Sequence, residues 1–241
     1  MCKGCRRQMR RVATFLIALT VGVAAMMAAV WADDYYYGTN SPPRTIIIGV
    51  DLSTSNPLIV DEAFAAKVAA RIRPMIVGLA PRSRLVLRSF GSYDTGANAT
   101  MNLDVLIAPK TARAEDMANL VQQVVANVPK LVRQGKLHAQ NQTNIIAFLE
   151  NMAATVDCRV QQATVILASD GVEDSKLANL SRHEGTLPLP SRPIFAGCDQ
   201  LYIFGLAQGM HDPRQTQRLR DEWTNWSQAA GFKGFTGLND W

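Results

Sequence analysis

The sequence predicts an α/β fold, a doubly wound and mostly parallel sheet with helices on both faces. Strand and helix signals alternate along most of its 241 residues, which is the pattern of successive βαβ units. Several strand candidates are continuous apolar runs, as in strands that are buried on both faces. Hydrophobic residues make up 48% of the chain and charged residues 19%, values that exclude a disordered protein.

The first predicted elements are a strand and a helix. Residues 44–50 form a β-branched run, and apolar residues recur at helical spacing over residues 61–79. Pro74 lies within this helix and is expected to kink or shorten it. Residues 84–90 alternate apolar and charged side chains, the pattern of a half-exposed strand, and residues 101–107 are a weaker strand candidate.

The second half of the chain continues the alternation. Helices are predicted over residues 115–134, with Gly135 as the stop, and over residues 144–156. Residues 163–168 and 201–206 are the second and third buried strands of the expected sheet.

A last helix is predicted from Asp212, whose side chain can cap it, to Gly231. Trp223 and Trp226 lie at helical spacing within it, so we expect them in the core. Two further glycines follow and are expected in a loop, since no helix signal comes after them: Gly234 and Gly237.

The first 32 residues are predicted to be a secretory signal peptide. They comprise a short basic segment, an uncharged stretch over residues 12–32, and small residues before a cleavage point after Ala32. An uncleaved membrane anchor is the alternative, because an uncharged stretch of this length can span a bilayer. Both interpretations export the remainder, to the bacterial periplasm or as a secreted protein, with inner-membrane anchoring if the segment is retained. Residues 33–43 are then a linker, and residues 44–241 form the folded domain.

The positive charge of the chain is concentrated in this N-terminal segment. The net charge is +5, but residues 1–32 hold five basic residues and no acidic ones. Removing them from the 25 basic and 20 acidic residues leaves 20 of each, so the remainder is formally neutral. This balance argues against nucleic acid as a partner.

Two cysteines remain once the N-terminal segment, with Cys2 and Cys5, is removed. Cys158 and Cys198 each precede a predicted strand, and those two strands are expected to be parallel neighbours, ~4.8 Å apart. An even cysteine count in an oxidising compartment therefore predicts one disulfide, at the edge of the sheet opposite any ligand site. No Cys-x-x-Cys remains and the histidines are scattered, so a zinc or thioredoxin-like site has no support.

Oxygen-bearing side chains follow two of the buried strands. Asp51, Ser53 and Ser55 come directly after the first strand, and their alternate spacing can turn all three toward one point. Asp170 follows a later strand, and Thr143 opens the helix before it. Sheets of this class bind ligands beyond the carboxyl ends of their strands. Carboxylate and hydroxyl oxygens suit Mg²⁺ or Mn²⁺ better than a soft metal.

These residues resemble the von Willebrand factor A domain. The resemblance rests on Asp51-x-Ser53-x-Ser55 after a hydrophobic strand, Thr143-Asn144-Ile145 at the start of a helix, and Ser169-Asp170-Gly171 after another strand. It covers about residues 44–230, and the family's metal-ion-dependent adhesion site uses this DxSxS, Thr and Asp set. The resemblance implies that Asp51, Ser53, Ser55, Thr143 and Asp170 hold Mg²⁺ (or Mn²⁺).

The same resemblance implies a protein partner. Two carboxylates and neutral hydroxyls leave a divalent ion short of negative ligands, so an Asp or Glu carboxylate of a partner would bind well at its open position. We therefore expect an exported, non-enzymatic protein that binds its partner through a metal-dependent adhesion site, in an envelope adhesion or assembly complex.

Other interpretations of the same residues stay open. Ser53, Ser55 or Thr143 could cap the helix that follows it, and Asp170 with Gly171 could form only a turn. Haloacid-dehalogenase-like phosphohydrolases, which use Mg²⁺, also place an Asp after a first strand. They carry a second Asp where this chain has Ser53, and a hydroxyl is a poor proton donor. A structural scaffold with an empty metal site is a further alternative, because one fold supports several functions.

Overall fold

Six strands form a single sheet in this protein, whose computed structural model describes residues 41–92, 101–181 and 185–239. The strands are β1 (Thr45–Asp51), β2 (Arg84–Phe90), β3 (Asn102–Leu106), β4 (Ala163–Ala168), β5 (Gln200–Phe204) and β6 (Gly234–Leu238). Their order in the sheet is β3-β2-β1-β4-β5-β6. Only the β2–β3 pair is antiparallel among these strands. The predicted fold class, α/β with a mostly parallel sheet, is therefore confirmed.

The predicted export segment, residues 1–32, and the linker as far as residue 40 lie outside the described residues. Chain contacts divide the protein between Asn40 and Ser41, and the sheet belongs entirely to the second unit. No helix within the described part is both long enough and apolar enough to cross a bilayer.

Five α-helices cover the two faces of the sheet. They are α1 (Glu62–Val77), α2 (Ala114–Ala126), α3 (Val128–Arg133), α4 (Ile145–Ala153) and α5 (Pro213–Ala230), and a short 3-10 helix spans Pro57–Ile59. Residues of α1, α2 and α3 form one hydrophobic core, and residues of α4 and α5 form the other. β1 supplies Ile46 and Ile48 to the first core and Ile47 to the second. Burial on both faces explains why this strand is a continuous apolar run.

The helix starts follow from the sequence. The Asp61 side chain accepts a hydrogen bond from the Phe64 N–H and caps α1, which continues past Pro74 and ends at Val77. Asp212 caps α5 in the same way, through the Arg214 N–H. Trp223 and Trp226 of α5 are both buried, as expected of core residues.

The single helix predicted over residues 115–134 is wrong. α2 ends before Asn127 and α3 begins after it, with Asn127 at φ −96° and ψ 5°. Pro129 lies in the first turn of α3, where it has no N–H to continue the α2 hydrogen-bond ladder. The stripe of apolar residues at helical spacing therefore spans two helices, which Asn127 separates.

The prediction of a loop at Gly234 and Gly237 is also wrong. Both residues lie in β6, which pairs in parallel with β5 at the edge of the sheet. A Cβ atom on Gly234 would collide with the Gln200 side chain, and one on Gly237 with Leu206. Glycine is required at both positions because neighbouring side chains lie against the backbone. The strand therefore lacks the β-branched residues that usually mark a strand in a sequence.

Cys158 and Cys198 form a disulfide with their Cα atoms 4.9 Å apart, as predicted. They precede β4 and β5, which are parallel neighbours. The bond therefore lies at the amino ends of these strands. Asp51 and Asp170 lie at the carboxyl ends, so the disulfide and the candidate site are at opposite ends of the sheet.

Candidate metal centre

The candidate site lies where the strand order of the sheet reverses. β1 is flanked by β2 on one side and β4 on the other, and both pairings are parallel. Asp51 is the last residue of β1, and Ser169 and Asp170 directly follow β4. Ligands of open α/β sheets bind at such a reversal point, beyond the carboxyl ends of the strands.

Asp51 is fully buried and held by hydrogen bonds to both of its carboxylate oxygens. The Ser53 N–H donates to Oδ1 at 2.8 Å, and the Ser169 hydroxyl donates to Oδ2 at 2.6 Å. The Ser169 oxygen in turn accepts the Gly171 N–H at 3.0 Å. Burial raises the pKa of Asp51 to about 6, against the lowering effect of the bonds from Ser169 and Ser53.

Asp170 is the second buried carboxyl group of the site. Its Oδ1 accepts the Val172 N–H at 2.9 Å, and its main-chain carbonyl accepts the Ala207 N–H at 2.8 Å. Burial first, and then the charge of Asp51, raise the pKa of Asp170 to about 7, while the Ser55 hydroxyl lowers it. The charge of Asp51 thus disfavours ionisation of Asp170.

Ser53 and Ser55 connect the two carboxyl groups to the surface. Their hydroxyl oxygens are 3.3 Å apart, and the Ser55 hydroxyl is hydrogen-bonded to Asp170. Ser53 is buried and Ser55 is exposed, so the site opens to solvent on the Ser55 side. Four of the five predicted ligands thus form one hydrogen-bonded cluster.

Thr143 lies in a loop beside this cluster. Its backbone N–H and carbonyl pair with the carbonyl and N–H of Asp174, at 3.1 and 3.0 Å. Gln140 of the same loop joins the Ser53 loop through two backbone bonds, to Leu52 at 2.9 Å and Thr54 at 2.8 Å. No hydrogen bond between described residues joins the Thr143 hydroxyl to the other four predicted ligands.

The contacts of these residues differ from those of simple helix caps and turns. The 3-10 helix after Ser55 is capped by Asn56, and α1 by Asp61, so neither serine caps a helix. Asn144 is the N-terminal cap residue of α4, and Thr143 is not. Asp170 does hold a turn through the Val172 N–H, but that bond uses only one of its two carboxylate oxygens.

Three residues important to the site were missing from the sequence-based prediction of ligands. Ser169 fixes the Asp51 carboxylate. The Asn56 amide donates to the carbonyls of Asp51 and Ala168 and so ties the ends of β1 and β4 together. Glu173 is fully buried and bonds to the first turn of α4. The serine was visible as part of the Ser-Asp-Gly motif, whereas the other two roles depend on contacts between distant segments.

The donor set fits a hard divalent cation. It offers two carboxylates and hydroxyl oxygens, the ligands that Mg²⁺ and Mn²⁺ prefer. No Lys or Arg in the described ranges forms an ion pair with Asp51 or Asp170. The described residues contain no group of three or more His, Cys, Asp or Glu side chains that could hold a metal ion. The predicted set does not require one, since only two of its five members are carboxylates.

Comparison with known proteins shows only distant likeness. No protein-family model and no curated protein matches the chain. Two crystal structures of the pilus adhesin SpaC from Lactobacillus rhamnosus GG, one in an open conformation, superpose with TM-scores of 0.45 and 0.47 at 15% and 14% identity. Each match covers 85% of this chain and 29% of the adhesin chain. The human COPII-coat protein Sec24c superposes at a TM-score of 0.37 and 10% identity, over 84% of this chain and 30% of its own.

This chain therefore spans less than a third of the length of these structures. Because the superpositions are this distant, the case for the site rests on the residues of this chain. The sheet, with its antiparallel edge strand β3 and its reversal point at β1 and β4, is consistent with a von Willebrand factor A-like fold.

Proposed function

We propose that this protein is an exported von Willebrand factor A-like domain that binds a protein partner through a divalent cation. The proposed ligands are Asp51, Ser53, Ser55, Thr143 and Asp170, and the cation is Mg²⁺ or Mn²⁺. One observation carries the proposal. Asp51 and Asp170 are buried together at the reversal point of the sheet with no ion-paired Lys or Arg in the described part of the chain. Buried charges require a counter-charge.

The residues of the chain prepare this position in advance. Ser169 and the Ser53 N–H fix the orientation of the Asp51 carboxylate, and the Val172 N–H fixes that of Asp170. When bound, the cation supplies the positive charge that both carboxylates lack and accepts an anionic oxygen from outside. Ser55 lies at the exposed side, where that oxygen would approach. An Asp or Glu side chain of a partner protein has the required chemistry.

The cellular setting that we propose is an envelope adhesion or assembly complex. The disulfide between Cys158 and Cys198 supports an oxidising compartment, and the N-terminal segment supports export to the periplasm or beyond. The near-neutral charge of the remaining chain gives no support for a nucleic-acid partner.

A phosphohydrolase is the competing function for the same residues. Ser53 occupies the position where such an enzyme needs a carboxylic acid, and a hydroxyl is a poor proton donor. We therefore propose that the protein is not an enzyme. Steady hydrolysis of p-nitrophenyl phosphate that disappears in Asp51→Asn would favour the enzyme instead.

Partner capture from the native envelope tests the proposed function. The full chain is immobilised and the envelope extract is applied with Mg²⁺ and again with EDTA, beside Asp51→Ala as the control. We expect a partner that is retained only by the wild-type chain and only with Mg²⁺. Equal retention in all conditions would favour a scaffold that binds without metal.

A further inference from the structure

Glu173 is a buried carboxylate that caps a helix from a distant part of the chain. Its Oε2 accepts the Ile145 N–H at 2.7 Å and the Ile146 N–H at 3.1 Å. These residues open α4, where the N–H groups have no partner within the helix. Asn144, the residue at the cap position, makes no capping bond with its own side chain. Glu173 therefore provides the acceptor and the negative charge that a helix start favours.

Glu173 lies at a junction between two loops of the site. Its neighbour Asp174 exchanges two backbone hydrogen bonds with Thr143. The Glu173 carbonyl accepts the Leu180 N–H at 2.8 Å, which holds the segment from the other side. The loop that carries Thr143 and the segment that carries Asp170 are thus joined by contacts of Glu173 and Asp174.

Glu173 caps α4 with a charged acceptor. Its carboxylate is buried, and two N–H groups of one helix turn donate to the same oxygen. A carboxylate accepts such bonds more strongly than a neutral amide oxygen does, and its charge complements the positive end of the helix dipole. Replacement of Glu173 by glutamine should therefore weaken the cap with little change in the size of the side chain.

We propose that Glu173 is a positioning residue for the metal site, because it fixes Thr143 relative to Asp170 by holding the start of α4. This inference rests on the proposed function. Only Asn144 separates Thr143 from the capped turn of α4, so movement of this turn would move Thr143 away from the other four ligands. Residues that orient metal ligands typically change metal affinity by 10–100-fold when they are replaced.

Glu222 offers a matched control. It lies on α5, and its Oε2 accepts the Leu187 N–H at 2.8 Å. It therefore uses the same chemistry as Glu173, a glutamate oxygen that receives a backbone N–H from a distant segment. This hydrogen bond involves none of the five proposed ligands.

Calorimetric titration of the full chain with Mn²⁺ tests the inference. Glu173→Gln should keep the circular dichroism spectrum of the wild type and lose roughly 10-fold or more in Mn²⁺ affinity. Glu222→Gln should bind Mn²⁺ as the wild type does. Wild-type affinity in Glu173→Gln, or an equal loss in Glu222→Gln, would overturn the positioning role. If Glu173→Gln does not fold, Glu173→Asp is measured instead. The same loss of Mn²⁺ affinity is expected, and wild-type affinity would overturn the positioning role.

A second measurement separates this inference from the proposed function. In the metal-free chain, the amide hydrogens of Ile145 and Ile146 should exchange faster in Glu173→Gln than in the wild type. Unchanged exchange would overturn the capping role whatever the metal result. If the wild type itself binds no Mn²⁺, the proposed function fails, and the positioning role fails with it while the cap remains measurable. If only Glu173→Gln keeps its affinity, the proposed function stands and the positioning role is wrong.

Discussion

The two ends of β4 differ in what the protein buries beside them. At the carboxyl end, Asp51, Asp170 and Glu173 are buried without an ion-paired cation among the described residues. Burial raises the pKa of all three, to about 6, 7 and 7. Ala207, whose N–H donates to the Asp170 carbonyl, has a left-handed φ of 63°. This backbone conformation is costly for a residue other than glycine.

The amino end of the same strand holds stabilising contacts instead. Cys158 and Cys198 are bridged there, and the rings of Phe195 and Phe232 stack with their centroids 4.5 Å apart. The two ends therefore contribute differently to stability. The amino end is cross-linked and packed, whereas the carboxyl end buries carboxyl groups, which lowers stability unless their charge is compensated.

Loss of the disulfide should strongly lower the stability of the fold. The bond spans 40 residues, and a loop of this length contributes about 3–4 kcal/mol in the chain-entropy model. The double variant Cys158→Ser with Cys198→Ser should lose that amount in urea unfolding. Its Mg²⁺ affinity should stay within about twofold of the wild type, because the bond lies at the opposite end of the sheet. A tenfold loss of Mg²⁺ affinity would show that the two ends are not independent.

The buried carboxylates should make the metal-free fold less stable as the pH rises. Their ordinary pKa is 3.8, and the folded state raises it to about 6 for Asp51 and about 7 for Asp170. Between pH 4 and pH 7 the folded state therefore binds more protons than the unfolded state, so their contribution falls as the pH increases. For Asp51 the shift corresponds to a loss on the order of 3 kcal/mol.

Urea unfolding in EDTA checks this prediction against other titrating groups. The double variant Asp51→Asn with Asp170→Asn should be more stable than the wild type at pH 7.5, and the difference should close toward pH 4. A wild type that is the more stable of the two at pH 7.5 without metal would contradict the account of the carboxyl end.

A smaller effect is expected from Trp223. Its indole N–H donates to the Gly171 carbonyl at 2.8 Å and so supports the turn that carries Asp170. Trp226, one turn further on, has an indole N–H with no partner among the described residues. Trp223→Phe should therefore lose about 1 kcal/mol more than Trp226→Phe, and only Trp223→Phe should weaken Mg²⁺ binding, by a few fold. Equal losses of thermal stability and of Mg²⁺ affinity in the two variants would show that Trp223 does not support the site.

Local patterns were sufficient for the centre of this fold. β1 and β4 are buried on both faces, and β5 is buried at three of its five residues, so these strands keep an apolar signal that does not depend on their neighbours. β6 could not be predicted, since Gly234 and Gly237 are required by side chains of distant residues. The break at Asn127 was hidden because the helical stripe continues on both sides of it.

The residues of the candidate site also differ in how far the local sequence predicts them. Asp51, Ser53 and Ser55 lie within one short segment at a strand end, so local spacing alone brings them near one another. Glu173 contacts residues 28 and 27 positions earlier in the chain, and no local pattern predicts which helix start it caps. The sequence therefore predicts the proposed ligands better than the residues that we propose to position them.

The most direct test of the metal site is a calorimetric Mg²⁺ titration of three chains. Asp61 provides the control, because it is an aspartate near Asp51 that caps α1 and is exposed. We predict that the wild type and Asp61→Ala bind Mg²⁺ with similar affinity, and that Asp51→Ala keeps its fold and binds none. Equal Mg²⁺ affinity in the wild type and Asp51→Ala would contradict the assignment of the carboxyl end as a metal centre.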